Sequence, residues 1–140
     1  MHEVNHPILA GLGIMTLVLI LLAVLFVPTI FYLLTLQKAL SRCSTESRAM
    51  SPGMVWLMLI PLFNLVWQFF VVLNMAKSLG AEFRKRGLPE EPDPGQTIGL
   101  IMCVSSLLCG PVYIVFWIIY WVKIADYSSK LAATAVAGAV

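Results

Sequence analysis

The sequence has almost no charge where its apolar residues are concentrated. Charged residues make up 11% of the 140-residue chain and hydrophobic residues 60%. An ordinary soluble domain is about 25% charged and about 45–50% apolar. Three stretches carry no charged side chain at all: Val4–Gln37, Ala49–Ala76 and Pro94–Val122. Ionisable groups inside a bilayer mark proton relays and ion pathways. Their absence argues against a proton-coupled transporter or a rotary proton channel.

Histidine is nearly missing too. His2 and His6 are the only two, both at the N-terminus. No interior imidazole pair is left for a haem, no ligand for a chlorophyll, and no Ser/His/Asp set. A Gly-rich phosphate loop is lacking. The net charge of +2 is too weak to argue for nucleic acid. We therefore expect a protein with no catalytic residues, no cofactor, no metal and no nucleic-acid partner.

One motif runs against that expectation. His2-Glu3-Val4-Asn5-His6 matches H-E-x-x-H, in which a helix presents two imidazoles to zinc and the glutamate activates water. Its context differs here. The motif is terminal, Pro7 follows directly, and the chain has no third histidine. We read it as an accidental match. The three cysteines, Cys43, Cys103 and Cys109, have neither zinc-knuckle nor redox-pair spacing. They read as small semi-apolar filler.

What is present is apolar length. A chain this short has too little interior to hide so much apolar surface from water. The excess must face lipid, partner subunits, or both. The expected fold is an all-α integral membrane protein, one membrane domain over residues 1–140. Its apolar segments are about 8–36, 54–75 and 98–122, its polar connections 37–53 and 76–97, and its small-residue tail 131–140.

Segment 8–36, as a helix rising about 1.5 Å per residue, reaches roughly 43 Å, beyond a hydrocarbon core of about 30 Å. No Lys or Arg precedes it, and it exceeds the roughly 7–15 residues of a signal core, so we read a permanent anchor. Pro28 is expected to kink it. Gly11 and Gly13 leave room for a close neighbour. Ser51-Pro52 reads as a helix start with a capping hydroxyl.

Segment 54–75 is expected to be one helix kinked at Pro61, running on to a basic amphipathic end. Asn64 and Gln68 lie four apart, on one face. An unpaired amide in lipid is costly, so both are expected to point at another helix or at the backbone carbonyls freed near Pro61. Lys77, Arg84, Lys85 and Arg86 suit anionic head groups. The acidic, proline-punctuated stretch Pro89–Gly95 cannot be helical.

Segment 98–122 is divided by Gly110-Pro111 into halves too short to cross alone, since a span needs about 17 residues. It is either a kinked span or a helical hairpin. Ser105 and Ser106 favour close helix contacts. Trp117, Tyr120 and Trp121, with Lys123 after them, read as an interfacial aromatic belt with a snorkelling lysine.

Lys and Arg favour the cytoplasmic face. Three plain spans distribute the nine basic residues five against four, which gives no orientation. A hairpin in the third segment, with the N-terminus inside, gives six against three. If the second segment also turns back, with the N-terminus outside, all nine share one face. Two such turns in a small protein are rare, so we expect two spans and a broken third element. A membrane-impermeant reagent on Cys43 in intact cells separates the orientations.

Three stretches together carry a resemblance: Trp56 to Trp67 with Pro61 and Asn64, Ala76 to Gly87, and Trp117 to Tyr127. The chain resembles small uncharacterised bacterial multi-pass membrane proteins with domains of unknown function, which have a Pro-x-x-Asn element within one helix. That resemblance implies a bacterial inner membrane and carries no activity. Cys109-Gly110-Pro111 is similar to the break in the re-entrant hairpin of dispanin-type membrane proteins.

The expected function is an accessory or scaffold subunit of a membrane complex. Its partners would be the lipid bilayer and either other membrane subunits or further copies of itself. The alternative is a small oligomeric channel or carrier for a neutral solute, lined by Asn64, Gln68, Ser105 and Ser106.

Overall fold

The computed structural model describes residues 5–89 and 92–138. His2 and Glu3 of the H-E-x-x-H match lie outside the described residues. Those described are helical, without a strand: α1 (Asn5–Arg42), a 3-10 segment (Pro52–Leu59), α2 (Pro61–Lys85), α3 (Gln96–Leu108) and α4 (Gly110–Ala137). The chain divides into two units, Met1–Tyr32 and Leu33–Val140.

The first unit is helical through Pro28. Pro28 forfeits one backbone donor without ending the helix. Most of the large apolar side chains from Ile8 to Phe31 are exposed. A helix that is apolar all round has no polar face to offer water. Among the described residues, α1 and α2 are the two helices long and apolar enough to cross a membrane.

The second unit is built from turns that bring the chain back on itself. Segment 54–75 is not one helix. It breaks at Ile60, whose backbone is extended, and α2 starts afresh with Pro61 at its first position. The 3-10 segment and α2 then run antiparallel. The Ala49 N–H donates to Ser78 Oγ (2.8 Å), and Trp67 Nε1 donates to the Met54 carbonyl (2.9 Å). Pro61 is thus a turn residue and not a mid-helix kink. Its fixed φ suits the first helical position, and its missing N–H costs nothing there. Ser51 occupies the cap position as expected, but its hydroxyl makes no capping bond.

Segment 98–122 resolves into a hairpin. Cys109 is extended and separates α3 from α4, with Pro111 in the first turn of α4. Gly95 and Gly99 in the ascending limb face Tyr120, Ile124 and Tyr127 in the descending one. α3 packs on both α2 and α4. A Cβ at Gly99 would collide with Val72 and come within 2.9 Å of the Tyr120 ring. Glycine there lets three helices meet.

α2 ends at Arg86 and Gly87. The Leu88 N–H donates to the Phe83 carbonyl (2.9 Å), and Gly87 takes a positive φ of 66°. That is the left-handed stop for which glycine has no Cβ penalty. The small-residue tail is helical as far as Ala137, with Leu131 fully buried.

Candidate functional site

Both turns, at Ile60 and Cys109, lie at one end of the second unit. The ends of α1, α2 and α4 gather at the other. There a buried network forms that no motif announced. Glu82, in the last turns of α2, is 2% exposed. Its carboxylate accepts the Ser44 N–H (2.9 Å), the Ser44 hydroxyl (2.8 Å) and Arg86 Nε (2.8 Å). Burial by itself pushes this carboxyl up. The bonds from Ser44, Ser47 and Arg86 outweigh burial and hold its pKa at about 2.

Arg86 spends the rest of its guanidinium on two other helices. Nη1 donates to the Leu131 carbonyl (2.7 Å) and Thr134 Oγ1 (2.8 Å), and Nη2 to the Arg42 carbonyl (3.1 Å). Arg42 in turn donates to the Ser128 carbonyl (2.6 Å) and hydroxyl (2.7 Å). Arg48 covers the end of α1, reaching the carbonyls of Leu40 (2.9 Å), Cys43 (3.0 Å) and Ser41 (2.9 Å). These carbonyls lie where α1 runs out of helical N–H donors, the Leu40 carbonyl also taking the Cys43 N–H (3.2 Å), and a cation there meets the negative end of the helix dipole. At the exposed rim Lys85 pairs with Glu46 at 2.7 Å. That bond holds the Glu46 carboxyl below its usual range.

Arg86 was expected at lipid head groups. It is instead engaged inside the protein, because only a five-donor guanidinium can satisfy a carboxylate and three further acceptors at once. Lys77 and Arg84 are exposed, as is Lys85 beside Glu46. Tyr120 was expected in an interfacial belt. It is 1% exposed, seated over the bare backbone of Gly99. Of the other belt residues, Trp121 Nε1 donates to Thr35 Oγ1 (2.9 Å), Trp117 stands 5.3 Å from Trp121 ring to ring, and Lys123 lies over the Tyr127 ring at 5.9 Å.

The expected polar contacts divide. Gln68 is buried and donates to Ser106 Oγ (2.6 Å), which donates to the Cys103 carbonyl (2.6 Å). This joins α2 to α3. Ser105 is buried and its carbonyl accepts the Cys109 N–H (2.9 Å). No hydrogen bond joins Asn64 to either serine among the described residues. Its Oδ1 is buried with no hydrogen-bond partner among the described residues. Cys43 and Cys103 are buried and Cys109 is exposed. Burial, with the Glu82 charge nearby, raises the Cys43 thiol to about 11, as suits an inert filler.

Sequence reasoning assigned no role to Ser44, Glu82 or Ser128. A signal for Glu82 exists: it is the only acid between Lys77 and Arg86, placed four residues before Arg86. No comparable local signal marks Ser44 or Ser128. No family model matches the chain, and no curated protein or solved structure matches it either.

Proposed function

We propose that this is a non-catalytic integral membrane protein that works through protein contacts, as an accessory or scaffold subunit in a bacterial inner membrane. The observation that carries this reading is the division of labour between its two units. One is a helix whose apolar side chains are left uncovered. The other ties its charges to one another and to helix ends. A buried ionic network whose members satisfy each other is built to hold a shape. Reactive groups held apart from their partners would point to chemistry instead.

Lys77 and Arg84 would meet anionic head groups, each worth about 1 kcal/mol near such a surface. Gln68 and Ser106 bond to each other, which favours helix contact over a solute path between them. Purification of the tagged chain in mild detergent tests the reading. A particle well above the 15.5 kDa of one chain, after allowance for detergent, supports it. Repeated recovery of a lone monomer contradicts it.

A further inference from the structure

We infer that the two hairpins of the second unit are buried in a single leaflet of the membrane and do not cross it. The inference rests on the proposed membrane reading and concerns the occupant of one surface, the tips at Leu59–Val66 and Leu107–Val112. Their occupant is the acyl chains of one leaflet.

Four observations carry it. The first is reach. α2 as a whole (Pro61–Lys85) is long enough to cross, but its uncharged part ends at residue 76; the uncharged part of α4 is 110–122, and α3 has 13 residues. At about 1.5 Å per residue these uncharged limbs are roughly 20–24 Å long. A hydrocarbon core is about 30 Å thick, and about 40–45 Å with its head-group regions. Limbs that start among the head groups end near the midplane.

The second is charge. All nine Lys and Arg lie away from the tips, and cross-links join their elements at one end: Arg42 to Ser128, Lys85 to Glu46, Arg86 to Leu131. Four full crossings would also put basic residues at this end, but would then set both tips in water on the far face.

The third is tip composition. Leu62 is 85% exposed, Leu108 80% and Val66 75%. Neither tip holds a charged residue. Besides the turn formers Pro61, Gly110 and Pro111, the one polar amide at the tips is Asn64, and its Oδ1 is buried.

The fourth is the backbone. In lipid an orphan N–H has no water to bond. Each returning helix has proline at its start, Pro61 or Pro111, which removes one such donor. The residues at the turns are bonded within their own limbs, Ile60 N–H to the Leu57 carbonyl (3.2 Å) and Cys109 N–H to the Ser105 carbonyl (2.9 Å).

The test uses the full chain in phosphatidylcholine–phosphatidylglycerol vesicles. A bimane is placed on Cys109, and in a second protein on Ile60→Cys with Cys109→Ser. Quenching is compared among lipids carrying nitroxides at the head group or deep in the acyl chain, and with aqueous iodide. The expected result is several-fold stronger quenching by the deep nitroxide, with no effect of iodide on either face. Iodide quenching of the tips on the face opposite a Thr45→Cys reporter means that the hairpins cross, and overturns the inference. Shielding from every quencher means that protein covers the tips, and overturns it equally. A chain that fails to float with the vesicles refutes the membrane reading itself, a separate outcome.

Discussion

Glu82 and Ser44 meet through two hydrogen bonds, one from the backbone N–H and one from the hydroxyl, at 2.9 and 2.8 Å. The bond fastens the end of α2 to the connection that follows α1. Arg86 continues the link to α4. One carboxylate and one guanidinium thus touch three helix ends, beside the Arg42–Ser128 link between α1 and α4.

Removing both partners should cost less than the two single removals added together. Arg86→Ala leaves Glu82 buried with its Ser44 bonds but no counter-charge, a loss of about 3–5 kcal/mol. Thermal unfolding in detergent should show it. Glu82→Gln with Arg86→Met should lose less than the two single changes together, since the pair shares one interaction.

The same carboxylate sets an acid limit. Its folded pKa lies near 2, below the ordinary 4.5. A depressed carboxyl stabilises the fold fully above the unfolded pKa, and that contribution fades as pH falls towards the folded one. Stability should therefore decline between about pH 4.5 and pH 2. Unfolding midpoints across that window should fall more steeply for the native protein than for Glu82→Gln.

At Gly99 one methyl group should matter. Gly99→Ala forces it against Val72 and Tyr120. Val72 is short and β-branched and Tyr120 is fully buried, so neither yields easily. Overpacking of this kind costs about 1–3 kcal/mol. Gly11→Ala and Gly13→Ala meet no atom within 4 Å and should leave the melting temperature unchanged. If those glycines face a partner helix, the size of the purified particle is what changes.

The Gln68–Ser106 contact should behave as glue. Gln68→Leu removes the bond between α2 and α3, and such contacts average about 0.6 kcal/mol in membrane helices. A matching small loss in unfolding free energy, with unchanged solute flux in vesicles, is expected. Altered flux would favour the channel reading.

Composition made the uncharged segments, the break at Gly110-Pro111 and the Gln68 contact legible. The turn at Ile60 was not. Met54–Ile60 is wholly apolar and Leu62–Val72 is broken only by Asn64 and Gln68, and a proline between two such runs reads the same as a kink or as a helix start. Tyr120 and Arg86 were misplaced for a related reason. Their spacing fits a lipid-facing belt and a basic helix end, and what overrides it is Gly99 in one case and the ends of α1 and α4 in the other. Neither partner is local in sequence. Burial also alters the orientation experiment. Cys43 is 1% exposed, so its protection from a thiol reagent would say nothing about sidedness. Thr45→Cys, on the exposed part of the same connection, replaces it as the probe.

Insertion in the membrane underlies every other proposal, and alkaline carbonate extraction of native membranes tests it most directly. The full-length chain should remain in the membrane pellet at high pH, as a protein held by its own apolar segments does. Release into the supernatant would contradict the account.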